Sequence, residues 1–348
     1  MKQFIPFVVM FVCMVASGLD AGRLVAGVLQ ENQTTKGSPE KAANESLAGT
    51  NDGFRSGGQS LANPVKYNWR VGVQIKAGKS SATNFLVTIP VPTNWPEQRV
   101  ELLKENVPAE IRSVKHRSLN SGVEQLVIEI PRIAANRLVE LSMLYQVTVG
   151  KVSAPDNPES LQISKKLPRE AKEYLGVGPQ ITYRNSKLRN QVKQLISEPE
   201  TDWEKIQSIF DWVRDNIELA DGEGEGEDED SIYTFRQRQG SAEDLVGLFV
   251  AMCRAAKVPA RVVWVEGHSY AEFMLVDEQG QHHWFPCQVA GLREFGSVSE
   301  PRIILQKGDN IKVPEKEQRQ KFVAEFVKGS GKTKPQVRFI RDLLPADN

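Results

Sequence analysis

The chain has 348 residues, enough for two domains that each bury a core. Its composition is that of a globular protein, 40% hydrophobic and 25% charged. Lys plus Arg and Asp plus Glu both number 44, so the net charge is zero and nucleic acid is excluded as the expected partner.

The N-terminus, MKQFIPFVVMFVCMVASGLDAG, has one lysine, an apolar run from Phe4 to Ala16 and then small residues. It reads as a secretory signal over residues 1–21. The apolar run is shorter than the roughly 20 residues of a spanning helix; an uncleaved anchor is the alternative. Cys13 lacks the leucine and small residue that precede a lipoprotein cysteine. The mature protein is therefore expected to be secreted or held in the periplasm and cell envelope, peripheral to the membrane at most. Cys253 and Cys287 then remain, a pair that allows one disulfide without requiring it.

Residues 22–63 are rich in Gly, Ser, Asn, Gln and Thr with few large apolar side chains, the composition of a flexible tether. Residues 64–153 change to short runs of period two, VKYNWRVGVQI, NFLVTIPVP, EQLVIEIP and LVELSMLYQVTV, separated by Pro, Asn and Gly. In the last run Val139, Leu141, Met143, Tyr145, Val147 and Val149 alternate with mostly polar neighbours. These strands predict a small β-sandwich whose apolar residues are core; His116 within it is an ordinary strand or surface histidine.

Helices follow. TDWEKIQSIFDWVRDNI opens on a capping box, Thr201 with Glu204, and places Trp203, Ile206, Phe210, Val213 and Ile217 on one stripe. The acidic run Asp221 to Asp230 lacks the register of a calcium loop and reads as a solvated loop, with weak calcium binding or a basic partner as the alternative. QGSAEDLVGLFVAMCRAAKVPARVVW then gives a long buried helix beginning at Ser241. ARVVWVEGHSYAEFML and GQHHWFPCQVAG are strands. His268, Tyr270 and Glu272 share one face of the first, and Trp284, Pro286 and Gln288 share one face of the second. A helix N-terminus facing two adjacent strands makes a cleft.

The four segments IFDWVRDNI, the helix after Gly240, RAAKVPARVV and HSYAE with WFPCQ occur in that order. Over residues 158–314 they resemble a bacterial transglutaminase-like domain of the papain-like superfamily. There Gly-x-Cys opens the central helix, His-Ala-Trp-x-Glu follows on a strand, and Trp-x-Pro-x-Asp closes the site. The resemblance implies an α+β fold, an N-terminal β-sandwich followed by a domain whose central helix packs on an antiparallel sheet. Carried over residue by residue, it puts Ser241 at the cysteine position, keeps the histidine as His268 and puts Gln288 at the aspartate position.

Two of the three catalytic positions thus depart from the pattern. A cysteine at a helix N-terminus beside histidine is readily held as thiolate, and a neutral amide can still orient the ring. A serine must lose its proton during attack, and replacing the carboxylate behind its histidine costs on the order of 10⁴ in rate. Ser241 with Gln288 is therefore the unfavourable pairing. SAED is also a capping box in its own right, Ser241 with Asp244, which gives the serine a purely structural role.

Other groups offer less. Cys253 lies about 18 Å down the helix from Ser241, Cys287 points to the strand face opposite Gln288, and His282 and His283 diverge. Glu272 is either a second acid near the cleft or a surface ion pair. No zinc, phosphate or nucleotide motif occurs, so no metal and no cofactor is expected. Residues 315–348 form an extension packed on the domain, or a partner surface: RIIL before them is one more strand, and EKEQRQKFVAEFV a short amphipathic helix.

Three functions follow. The first is an exported protein with a degenerate catalytic centre that binds peptide or protein in the former cleft. The second is a slow serine amide hydrolase or acyltransferase using Ser241, His268 and Gln288. The third is an envelope scaffold whose cleft is filled by its own Tyr270 or Phe285.

Overall fold

The computed structural model describes residues 55–56, 62–220 and 230–345. The secretory signal, most of the tether and the acidic run as far as Glu229 lie outside the described residues. In chain order the first strands are β1 (Arg55–Ser56), β2 (Ala62–Lys76), β3 (Ala82–Val91), β4 (Gln98–Asn106), β5 (Ser113–Ser118), β6 (Glu124–Ile133) and β7 (Leu138–Lys151). Next come α1 (Ser186–Leu195), α2 (Asp202–Asn216), β8 (Glu218–Leu219), α3 (Ser231–Gln237), β9 (Gln239–Gly240) and α4 (Ala242–Ala255). The last are β10 (Ala260–Val265), β11 (His268–Val276), β12 (His282–Gln288), β13 (Glu294–Phe295), β14 (Ile304–Lys307), β15 (Phe326–Gly331) and β16 (Gln336–Leu344). Among the described residues no helix is long and apolar enough to cross a membrane.

Period-two alternation builds the sandwich as expected. In β7, Val139, Leu141, Met143, Tyr145, Val147 and Val149 are all buried, and they meet Val71, Val73, Ile75, Phe85, Val87 and Ile89 in one core. The two four-stranded sheets run β16-β2-β7-β4 and β15-β3-β6-β5. Each therefore carries an outer strand from the far end of the chain. This corrects the helix expected in residues 315–348 and the placement of the segment's end. Glu315 to Glu325 is irregular and packs on the second domain, with Phe322 against Trp264 and Lys321 Nζ 2.7 Å from Glu243, whereas β15 and β16 pair with the sandwich. The Glu, Lys and Gln content that favours a helix locally is outweighed by tertiary contacts, in which Val323 N donates to Gln306 Oε1 at 3.1 Å and Phe322 packs on Trp264.

The second domain is built around α4, in which every residue from Leu245 to Arg254 is buried. Helix α2 carries the expected capping box, Glu204 N to Thr201 Oγ1 at 3.2 Å and Thr201 N to Glu204 Oε2 at 3.0 Å, and buries Trp203, Ile206, Ile209, Phe210 and Val213 against α4. Helix α3 had no sequence signal. It starts where Asp230 accepts from Ile232 N and Tyr233 N, both at 2.9 Å. On its other side α4 packs on a sheet of order β1-β12-β11-β10-β14, antiparallel except for β1, which brings residues of the expected tether alongside His283 and Trp284.

The opposite face of that sheet is covered by the sandwich. Gln98 holds β14 through Nε2 to Ile304 O at 2.9 Å and Oε1 to Ile304 N at 2.7 Å, and Tyr67 OH donates to Pro301 O at 2.6 Å. Lys307, on β14, bonds Glu97 from the sandwich and Glu272 at 2.6 Å, and Glu272 also accepts from Arg261 Nε at 2.8 Å. Glu272 is therefore no surface ion pair and no acid in a cleft: it is 1% exposed, because β11 is central and its outer face is roofed by the other domain. The Arg261 guanidinium lies 4.0 Å from the centroid of Trp284, a cation–π contact in a dry setting.

Candidate active site

Helix α4 leads through Lys257 to Pro259 directly into the antiparallel strands β10 and β11, so its N-terminus lies at the sheet end where β11 begins. A two-residue turn, Glu266 and Gly267, joins Val265 to His268; Gly267 takes φ +69, a left-handed value that costs glycine little. The antiparallel partner β12 ends at Gln288 beside the start of β11. Topology thus gathers Ser241, His268 and Gln288 at one end of the sheet.

Side chains divide them. Ser241 is the N-cap of α4, with extended φ −66 and ψ 168. Its Oγ accepts from Asp244 N at 3.2 Å and donates to Asp244 Oδ2 at 2.7 Å, while Ser241 N donates to the same carboxylate oxygen at 2.9 Å. Such a cap contributes about 1 kcal/mol to the helix. Gly240 makes room for it, because a Cβ there would lie 2.8 Å from Asp244 Cβ. His268, half-buried, shares Nε2 with Gln288 Oε1 at 2.8 Å; since an amide oxygen only accepts, Nε2 carries the proton. Among the described residues no hydrogen bond joins Ser241 to His268.

Gln288 is held from behind by α2. Arg214 donates to the carbonyls of Gln288 at 2.7 Å, Gly291 at 2.8 Å and Leu292 at 3.1 Å. Sequence reasoning missed Arg214, which sits on the exposed side of a stripe read only for its apolar residues. The face bearing Tyr270 and Gln288 borders a shallow surface depression, lined also by Val265, Val298 and Arg302. Tyr270 is buried with Trp95, Val263 and Ile304, and Phe285 belongs to the core under α4.

The model of the transglutaminase-like superfamily matches residues 189–292, a span that contains all three positions. The chain carries a transglutaminase-like domain. Its structure is similar to that of a candidate cysteine protease from Cytophaga hutchinsonii, 17% identical, with a TM-score of 0.54 over 82% of this chain and 93% of that one. A second similar structure is the periplasmic domain of TgpA from Pseudomonas aeruginosa, 15% identical, with a TM-score of 0.34 over 68% of this chain and 74% of that one. No curated protein matches the chain.

Counted from Gly240, Gly-x-Cys places x at Ser241 and the cysteine at Ala242, the first helical residue of α4. Ser241 precedes that position, and its hydroxyl turns back into the helix. Ala242 offers a methyl group where the motif has a thiol.

The domain's own thiols do not substitute. Cys253 and Cys287 are free, fully buried and pushed well above the ordinary thiol range by burial, so neither is a thiolate. His282 and His283 diverge as expected, the first to Ser164 at 3.0 Å and the second to Asp277 at 2.6 Å. Among the described residues no group of three His, Cys, Asp or Glu could hold a metal ion.

Proposed function

We propose that this is an exported transglutaminase-like protein that does not carry out acyl transfer and that binds peptide or protein at the end of the sheet where His268 and Gln288 meet. The observation that carries the reading is the state of the nucleophile position. Ala242 has no group to attack a carbonyl, and the neighbouring Ser241 donates its hydroxyl hydrogen bond to Asp244 rather than to His268. A serine mechanism would need the cap to break and the hydroxyl to reach the imidazole.

A binding role is supported by what the site keeps. His268 is partly accessible and oriented by Gln288, and Phe285 lies in the core under α4 rather than beside it. Export rests on residues 1–21, and the two buried thiols leave the described fold with no need of a disulfide.

The binding half is tested by following the imidazole resonances of the four histidines while the protein is titrated with a mixture of glutamine-containing octapeptides. The reading expects the His268 signal to move and that of His116, on strand β5, to stay. A spectrum in which His268 is unmoved at saturating peptide contradicts it.

A further inference from the structure

The sandwich meets the transglutaminase-like domain at one end only. The contacts Val152 to Val298 and Tyr67 to Pro301 lie where β2 begins and β7 finishes. The other end lies about 30 Å beyond Tyr67 along β2, at roughly 3.3 Å per residue. It consists of three turns, residues 77–81, 134–137 and 332–335, which touch one another. Ala77 N donates to Arg137 O at 3.0 Å, Asn136 N to Gly78 O at 2.8 Å, and Ser80 Oγ and Thr333 Oγ1 are 3.0 Å apart.

This end is basic. Lys76, Lys79, Arg132, Lys332, Lys334 and Arg338 are all exposed on it, with Lys76 and Arg338 on neighbouring strands through the pairs Lys76 with Gln336 and Gln74 with Arg338. The sequence has no Asp or Glu from Lys76 to Pro96 or from Phe326 to Arg341. Of the carboxylates that approach, Glu110 pairs with Arg137 at 2.9 Å, and Glu140, which accepts from the neutral Gln74 Nε2 at 2.7 Å, offsets one of these charges. Lys76, Lys79, Arg132, Lys332 and Arg338 form no ion pair among the described residues. In a chain of zero net charge this is a local concentration of one sign. Short apolar side chains, Ala134, Ala135 and Leu138, are exposed among the cations.

We propose that this distal end docks on an anionic phospholipid surface and holds the transglutaminase-like domain away from it. Three outward turns make a convex end, which meets a plane and cannot wrap a duplex. The turns contain no aromatic residue on which an unpaired base could stack. Most of the cations are lysines, point charges without the fork that suits one fixed carboxylate or phosphate, and they match a fluid field of headgroups. The exposed alanines and Leu138 reach the headgroup level once the charges have docked. The inference does not depend on whether the other end of the molecule turns over a substrate.

Co-sedimentation of the full chain with vesicles tests it, using phosphatidylcholine alone and phosphatidylcholine containing one third phosphatidylglycerol, each at low and at high salt. Binding is expected only with the anionic lipid and only at low salt. The combined variant Lys79→Ala, Lys332→Ala and Lys334→Ala should weaken it about 100-fold, from roughly fivefold per cation. The control Lys187→Ala with Lys193→Ala, on exposed positions of α1, should leave it unchanged. Equal binding to both vesicles, equal losses in the two variants, or tighter binding to duplex DNA or polyglutamate than to the anionic vesicle at the same salt would each overturn the proposal.

Discussion

Replacing Lys307 by methionine is expected to destabilise the protein by about 3–5 kcal/mol near pH 7, the usual effect of removing one partner from a buried ionic group. Lys307 is 1% exposed and bonds Glu97 and Glu272, themselves 2% and 1% exposed. Methionine fills the space but leaves Glu97 without its cation, and Glu97 Oε2 already has no hydrogen-bond partner. Burial alone would raise the Glu272 carboxyl, but Lys307 and Arg261 outweigh it and hold the group below the ordinary carboxylate range. In the unmodified protein the contribution of Glu272 is thus fully present above the unfolded value of about 4.3 and is lost as pH falls through the lower folded value. In the variant burial favours the protonated acids, so its deficit should shrink as pH drops. Denaturant melts of both proteins at neutral pH and near pH 4.5 measure this, and an equal deficit at the two pH values would contradict it.

The second large effect concerns the end of the chain. Deleting residues 326–348 removes β15 and β16, and with them an outer strand of each sheet. Phe339, Ile340 and Val327 leave the core, and β2 and β3 become long unpaired edges. The loss is on the order of the 5–15 kcal/mol that holds a whole domain, so the shortened chain should be insoluble or lack fixed tertiary packing. Near-ultraviolet circular dichroism and soluble yield report on it. A soluble protein with an unchanged spectrum would mean that the sandwich is complete without its C-terminal strands.

What could be read from the sequence was whatever depends on neighbours in the chain. The alternation in β7, the Thr201 box of α2 and the Ser241 box of α4 all act within a few residues, and all three stand in the structure. What could not be read depends on distant partners. Nothing in EKEQRQKFVAEFV reveals that the strand beginning at its Phe326 pairs with β3, far upstream in the chain. Glu272 looks like a surface residue until Glu97 and Lys307 arrive from elsewhere to close over it.

The nucleophile position is ambiguous in the sequence for another reason. Ser241 and Ala242 both lie between a glycine and an apolar helix, and the serine drew the assignment because it alone has a nucleophile's side chain. Counting from Gly240 would have found Ala242. In the structure Ser241 is the N-cap of α4 and Ala242 its first residue.

Acyl transfer by the transglutaminase-like domain is measured as ammonia release from a glutaminyl peptide, with and without an amine acceptor, by the unmodified chain beside His268→Ala and Ser241→Ala. The expected result is that the three proteins are indistinguishable and that the amine changes nothing. Amine-dependent release by the unmodified chain that disappears in both variants would contradict it and would make Ser241 a working nucleophile.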